Sequence, residues 1–167
     1  MIKPYLVFDI ETTGLNPWYD NRITCICAKS VNYNVVKDFK LSGDNEKVLL
    51  EQFLYFLRDY KDSILVTANG KDFDIPFILT RCVLNGITFF ECEFLLRLKH
   101  FDLQQQTNKK ISLNDLSIIL LDKKKEANCM TAIILATEKR FDELIKYCMN
   151  DVQLTEECYL KLLEIRK

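Results

Sequence analysis

The chain opens with short stretches in which apolar and polar positions alternate, as they do in β-strands. The first stretch is Tyr5–Thr12, and residues 13–17 (Thr-Gly-Leu-Asn-Pro) end it with a glycine and a proline. Similar stretches cover residues 22–31 and 35–40, and the turn-forming residues 32–34 (Asn-Tyr-Asn) separate them. The pattern therefore predicts three successive strands in an antiparallel meander.

Helical periodicity follows, with apolar residues at intervals of three and four. Asp44 is predicted to cap a helix that ends near residue 60, and the short apolar run 63–68 follows as a parallel crossover strand would. A second helix is predicted over residues 73–84, where Pro76 falls in the first turn, and a fifth strand over residues 99–103. This order indicates an α/β fold with a five-stranded mixed sheet.

The last third of the chain is predicted to be helical. Ser112 opens one helix through about residue 121 with a variant of the capping box, and further helices cover residues 131–137 and 141–165. Residues 123–128 are polar and form a connection. No internal repeat, low-complexity segment or long linker is found, so residues 1–167 are expected to form a single domain.

Two acids occupy unusual places in the first strand. Asp9 and Glu11 are two residues apart, so their side chains point to the same face, while Phe8 and Ile10 point to the other. Two adjacent carboxylates inside a sheet are unfavourable unless a cation, a shared proton or hydrogen-bond donors compensate them. A divalent metal site is the working hypothesis.

Two further acids lie at positions where a charge is not expected from patterning alone. Asp74 stands at the junction of a buried strand and a helix, where open α/β sheets place their sites, although a carboxylate also suits a helix start without any chemistry. Asp151 and Tyr147 share one face of the last helix, a pattern that taken alone favours a structural hydrogen bond or an amphipathic boundary. Together the acids form a set of hard oxygen ligands suited to Mg²⁺ or Mn²⁺.

Composition narrows the classes of function. Hydrophobic residues make up 49% of the 167, and 23 Lys and Arg balance 24 Asp and Glu, so contact with a polynucleotide must be local. The basic spots Lys109-Lys110, Lys123-Lys124-Lys125 and Lys139-Arg140 are interpreted as solvated faces. The seven cysteines lack the paired spacing of a zinc ribbon or knuckle and are interpreted as buried thiols.

The chain also lacks the features of an exported or membrane protein. Residues 1–4 lead directly into a strand without a signal-peptide core, and no apolar run approaches the length of a membrane span. We therefore expect a reducing, cytoplasmic setting and no membrane partner.

In three stretches the chain resembles the exonuclease motifs of the DEDD superfamily of 3′–5′ exonucleases, a branch of the ribonuclease H-like fold. Residues 8–15 (Phe-Asp-Ile-Glu-Thr-Thr-Gly-Leu) resemble the first motif, and residues 69–78 resemble the second as it occurs in the proofreading domain of family B DNA polymerases. Residues 147–151 (Tyr-Cys-Met-Asn-Asp) resemble the third motif in its tyrosine subtype; the histidine subtype would have His where Lys146 stands. The resemblance implies a three-layer fold in which a five-stranded mixed sheet is flanked by helices.

The resemblance also implies the chemistry. Asp9, Glu11, Asp74 and Asp151 would hold two divalent cations, Mg²⁺ or Mn²⁺, and Tyr147 would orient the attacking water. The nucleic acid is expected to be single-stranded, with DNA favoured over RNA, and a polymerase or repair protein is the expected partner in trans. The residues expected to bind substrate are Thr12, Thr13, Leu15, Asn69 and Phe73.

Alternatives remain open from the residues alone. The enzyme would be an exoribonuclease if its site used the 2′-hydroxyl, or the domain would be a catalytically silent binder of nucleic acid. His100, the single histidine, is expected to have a packing or hydrogen-bonding role beside Asp102, because the tyrosine-type motif leaves it no catalytic task.

Overall fold

The computed structural model describes residues 3–33, 35–107, 111–125 and 129–166. The strands are Tyr5–Thr12 (β1), Ile23–Asn32 (β2), Val35–Ser42 (β3), Ile64–Thr67 (β4) and Lys99–Asp102 (β5). They form one mixed sheet in the order β3-β2-β1-β4-β5. The strands β1, β2 and β3 form the predicted antiparallel meander, while β4 is parallel to β1 and β5 is parallel to β4.

Helices cover both faces of the sheet, so the predicted three-layer α/β architecture is confirmed. The long last helix packs across four strands because its apolar stripe matches the sheet face. The helices are α1 (Glu46–Arg58), α2 (Asp74–Leu84), α3 (Phe89–Cys92), α4 (Leu103–Gln106), α5 (Leu113–Leu121), α6 (Cys129–Thr137) and α7 (Phe141–Ile165). A 3₁₀ turn, Glu93–Arg97, lies between α3 and β5.

Two apolar cores result, one on each face. Phe8 and Ile10 of β1 face the core under α1 and α2, whereas Val7 faces the core under α5, α6 and α7. Successive residues of β1 thus point into different layers, as strand geometry requires. Asp9 and Glu11 consequently share the face that α7 covers.

Several element boundaries differ from the sequence prediction. The cap of α1 is Asn45, whose side chain accepts a hydrogen bond from the Val48 amide, and Asp44 instead pairs with Arg22 and Lys139. Phe73 is the residue before α2 rather than part of it. The short helices between residues 89 and 106 were not predicted, because segments of four or five residues carry too few positions to show a period. The predicted Ser112 cap is confirmed, since its hydroxyl accepts from the Asp115 amide at 3.0 Å.

The predicted buried thiols are confirmed for six cysteines, all buried and free: Cys25, Cys27, Cys82, Cys92, Cys148 and Cys158. The basic pair Lys109-Lys110 lies outside the described residues. Among the residues described, no helix is both long and apolar enough to cross a bilayer.

Candidate active site

The first two acids of the site lie on the central strand. Asp9 and Glu11 stand opposite Cys27 and Cys25 of β2 in the antiparallel register, and residues directly opposite in such a pair share a face. Helix α7 covers this face, and the Cys148 thiol lies 3.6 Å from Asp9 Oδ2. The strand therefore directs both carboxylates toward α7, as the alternation predicted.

Asp74 reaches the same site from the other side of β1. It is the first residue of α2 and only 4% exposed, and its Oδ1 accepts a hydrogen bond of 3.3 Å from the Ile10 amide. This bond fixes the carboxylate to the strand between Asp9 and Glu11. Asp74 is therefore more than a helix-start residue, because its side chain is bound to the central strand.

The turn before Asp74 is held from β5. Asp102 accepts hydrogen bonds from the backbone amides of Asn69, at 3.0 Å, and Lys71, at 2.8 Å. Asn69 adopts a positive φ of 72°, and a Cβ on Gly70 would come within 2.5 Å of Thr67 Cβ, so the turn is tight. His100 bonds to the Thr67 hydroxyl at 2.7 Å, which confirms its expected hydrogen-bonding role.

Helix α7 supplies Tyr147 and Asp151, one helical turn apart on the same face. Asp151 is 4% exposed, and its Oδ1 has no hydrogen-bond partner among the residues that the structure describes. Its Oδ2 forms an ion pair with Lys125, whose ammonium also lies 4.8 Å from the centre of the Tyr147 ring. The face of α7 that carries Tyr147 and Asp151 is thus tied to the segment that precedes α6.

The interpretation of residues 123–125 as a solvated face is wrong for Lys125. Its side chain is 19% exposed and contacts Asp151. Asp151 belongs to the acidic cluster, which consists of Asp9, Glu11, Asp74 and Asp151. Lys123 pairs with Glu157 at the surface, and Lys124 is exposed. Nothing in the local sequence distinguishes Lys125 from the other two lysines, since the segment has no regular period and its partner Asp151 lies 26 residues away. No pattern in the sequence therefore predicted that Lys125 contacts the site.

The acids repel one another and are poorly solvated, which raises their pKa values. Desolvation is the largest cause for Asp9, followed by the charges of Glu11, Asp151 and Asp74, and together they raise its pKa well above the ordinary value. Desolvation and the charge of Asp151 raise the pKa of Glu11 to about 8. Desolvation raises the pKa of Asp74 to about 7, against the backbone hydrogen bonds that lower it.

Two neighbouring groups respond to the same environment. Desolvation raises the pKa of Tyr147 to about 12, so the phenol is neutral at physiological pH. Desolvation lowers the pKa of Lys125, but the charge of Asp151 and the hydrogen bonds to Asp151 and Tyr147 together outweigh it, so the net pKa is raised and the amine stays charged. Desolvation also raises the pKa of Asp151, although Lys125 opposes it.

The residues predicted to bind substrate lie around the ends of β1 and β4. The Thr12 hydroxyl donates to the Gly14 carbonyl at 2.8 Å, and the Thr13 hydroxyl accepts from the Arg22 amide at 2.9 Å, so both hydroxyls shape the loop after β1. Leu15 is 81% exposed at the tip of that loop. Asn69 forms the turn described above, and the Phe73 ring packs against Phe77 with centroids 5.5 Å apart.

A surface cavity of about 530 Å³ opens beside Tyr147. Arg140, Glu143 and Lys146 line it together with Tyr147, and Arg140 is paired with Glu138 and Glu143, so the lining carries charges of both signs. The cavity therefore offers space for a ligand at the edge of the site.

A family model described as the RNase H superfamily matches residues 6–129, which is most of the chain. The chain belongs to the RNase H superfamily. This membership agrees with the five-stranded mixed sheet and its two helical layers.

This RNase H superfamily member is similar to DNA polymerases. It is 25% identical over 139 residues, or 68% of the chain, to a DNA polymerase of Thermococcus aggregans. It is 35% identical over 48 residues, or 29% of the chain, to the catalytic subunit of DNA polymerase epsilon from Eremothecium gossypii. Among solved structures, the family B DNA polymerase of Pyrobaculum calidifontis matches 98% of the chain with a TM-score of 0.79 and 16% identity. The matched regions span 8%, 2% and 25% of those proteins, respectively.

The donor set of this RNase H superfamily member fits hard divalent cations. Its carboxylate oxygens are the ligands that Mg²⁺ and Mn²⁺ prefer, and Asp151 Oδ1 is buried with no hydrogen bond to a described residue. Mutual repulsion adds to desolvation in raising the pKa values of Asp9 and Glu11, and a bound cation would offset that repulsion. The superfamily, the polymerase similarity and this acidic cluster together point to a nuclease.

Proposed function

We propose that the chain is a metal-dependent 3′–5′ exonuclease that releases nucleoside monophosphates from single-stranded DNA ends. The observation that carries the proposal is the convergence of Asp9, Glu11, Asp74 and Asp151, from β1, α2 and α7, beside Tyr147. If these acids had only a structural role, they would not need to lie close enough together to repel one another.

The acids would hold two ions, Mg²⁺ or Mn²⁺, with Asp9, Glu11, Asp74 and Asp151 as the ligands. When bound, such ions polarise the scissile phosphate, lower the pKa of an attacking water and stabilise the departing 3′ oxygen. Water attack on phosphorus and cleavage of the P–O3′ bond would release a nucleoside 5′-monophosphate and leave a 3′-hydroxyl on the shortened strand.

The other residues of the site would position the reactants. Tyr147 is a neutral phenol and would accept and donate hydrogen bonds that orient the attacking water. Leu15, exposed on the loop after the acidic strand, would pack against the terminal base. Thr12 and Thr13 would contribute mainly through the loop they shape, because their hydroxyls already form local hydrogen bonds.

DNA is the proposed substrate because the similar curated and solved proteins are DNA polymerases. An exoribonuclease would require recognition of the 2′-hydroxyl, and a silent binding domain would not need an intact set of acids. A polymerase or repair protein acting in trans is the proposed partner.

The test uses 5′-labelled single-stranded DNA and RNA oligonucleotides with Mg²⁺, Mn²⁺ or chelator. We expect a DNA ladder that shortens from the 3′ end and disappears in chelator and in Asp9→Ala. Asp62→Ala, which removes an exposed carboxylate, is the matched control and should retain activity. Equal degradation of DNA by Asp9→Ala and the parent would refute the site, and RNA degradation alone would indicate the exoribonuclease.

A further inference from the structure

Three thiols meet between β2 and α7, next to the acidic cluster but outside the proposed chemistry. Cys25 and Cys27 are two residues apart on β2 and point to the same face, and Cys148 of α7 lies over them. All three side chains are fully buried. The sulfurs of Cys25 and Cys27 are 3.7 Å apart, and all three sulfurs lie within 4.8 Å of one another.

This spacing matches the edges of a metal–thiolate centre. A tetrahedral Zn²⁺ ion with Zn–S distances of about 2.3 Å places its sulfurs about 3.8 Å apart. The sulfurs of Cys25 and Cys27 already have this spacing, and their distances to the Cys148 sulfur, which are at most 4.8 Å, would shorten by up to about 1 Å. A disulfide requires sulfurs about 2.05 Å apart, so the arrangement is closer to that of metal ligands than to that of a bonded pair.

Asp9 approaches the three thiols from the Cys148 side. It stands opposite Cys27 in the strand register, and its Oδ2 is 3.6 Å from the Cys148 sulfur. With this carboxylate turned toward Cys25 and Cys27, three sulfurs and one oxygen would supply the four ligands that Zn²⁺ takes in tetrahedral sites. Hard ions such as Mg²⁺ and Mn²⁺ avoid sulfur, so this position would select a different metal from the acidic cluster.

We propose that Cys25, Cys27 and Cys148 form a binding site for one Zn²⁺ ion between β2 and α7, with Asp9 in reach as the fourth ligand. The site joins the central sheet to the helix that carries Tyr147 and Asp151. Its three thiols take no part in the proposed exonuclease chemistry and its measurement involves no nucleic acid, so it can be tested separately, although Asp9 is shared with the acidic cluster.

The test uses the full, reduced chain with Co²⁺ as a spectroscopic substitute for Zn²⁺. We expect one equivalent of Co²⁺ to produce a thiolate charge-transfer band in the near ultraviolet and tetrahedral bands in the visible, and one equivalent of Zn²⁺ to abolish both. Cys25→Ala, Cys27→Ala and Cys148→Ala should each weaken or remove the charge-transfer band. Cys158→Ala, a buried thiol on the same helix outside the cluster, is the matched control and should retain it.

If a variant fails to fold, the Co²⁺ spectrum of the parent chain alone tests the proposal. A folded, reduced parent that gives no charge-transfer band with Co²⁺ would overturn it. So would a spectrum with bands of oxygen ligation only, since this would place the ion at the acidic cluster. A charge-transfer band that survives unchanged in a folded Cys27→Ala or Cys27→Ser would also overturn it.

Discussion

The ammonium group of Lys125 forms an ion pair with the carboxylate of Asp151, 26 residues away. The pair is largely buried, with side-chain exposures of 19% and 6%. A buried carboxylate needs a compensating charge or a proton, and Lys125 supplies the charge at a place proposed for a divalent ion. Lys125 and the metal should therefore compete for Asp151.

Lys125→Met tests this competition. We expect Mn²⁺ to bind about tenfold more tightly, because a like charge a few ångströms away no longer opposes the ion. Calorimetric titration of the metal measures the change. Lys124→Met, which removes an exposed neighbouring charge, is the control and should leave the affinity unchanged. Equal Mn²⁺ affinities in the parent and Lys125→Met would show that the lysine and the metal do not compete.

The same substitution should destabilise the metal-free chain. Removing one partner of a buried pair costs about 3–5 kcal/mol, and we expect less here because Asp151 can take up a proton. Denaturant unfolding in chelator measures the loss, which Mn²⁺ should reverse.

Tyr147→Phe removes only a hydroxyl and retains the ring beneath Lys125. If Tyr147 orients the attacking water, kcat should fall by about 10²-fold, within the range of a positioned proton-transfer group, while KM changes little. Steady-state kinetics on a 5′-labelled DNA strand measures both constants. A matched fall in the melting temperature would instead indicate a structural role, and unchanged kcat would remove Tyr147 from the mechanism.

The acids predict a distinctive dependence of stability on pH. The pKa of Glu11 is raised to about 8 and that of Asp74 to about 7, from ordinary values of 4.5 and 3.8. Between pH values of about 4 and 8 the folded chain thus binds protons that the unfolded chain does not, so these groups lower the free energy of unfolding as pH rises. Thermal melts of metal-free protein across that range should show the fall, and Glu11→Gln should flatten it.

Metal should reverse this trend, because it binds the deprotonated acids. An ion at 100 times its dissociation constant adds about 2.7 kcal/mol, which corresponds to roughly 5–10 °C in Tm for a domain of this size. We expect the increase with Mn²⁺ to be larger at pH 8 than at pH 5.5. An increase that is independent of pH would mean that the ion binds elsewhere.

The sequence predicted the layers of the fold and the acids because both produce periodic or local patterns. Alternation in β1 placed Asp9 and Glu11 on one face, and the helical period of α7 placed Tyr147 and Asp151 on another. Lys125 gave no such pattern, since only the return of the chain after α5 brings it to Asp151. The same limit applies to the thiols, which read as separate core residues until β2 and α7 pack together.

Asp44 illustrates a smaller failure. It and Asn45 are both good caps, and the sequence offers no way to choose between neighbouring candidates. In the structure Asp44 forms ion pairs with Arg22 and Lys139, and Asn45 caps α1. Tertiary contacts therefore set the helix start.

Asp102 provides a final test of how the turn before Asp74 is held. Its Oδ1 accepts from the amides of Asn69 and Gln104, and its Oδ2 accepts from the Lys71 amide and the Thr67 hydroxyl. An amide in place of the carboxylate retains one acceptor oxygen, so either orientation of Asp102→Asn leaves a partly buried backbone N–H without its acceptor. We expect a loss of about 1–3 kcal/mol in unfolding free energy, measured by denaturant titration.

The same variant should also weaken activity, because the turn places Asp74 against the Ile10 amide. We expect kcat to fall in Asp102→Asn more than in Asp62→Asn, an exposed control whose stability and activity should match those of the parent. Added Mn²⁺ should restore part of the stability but not the full rate, since the ion cannot supply the missing acceptor for the turn. Parental stability and kcat in Asp102→Asn would mean that the turn holds Asp74 without help from β5.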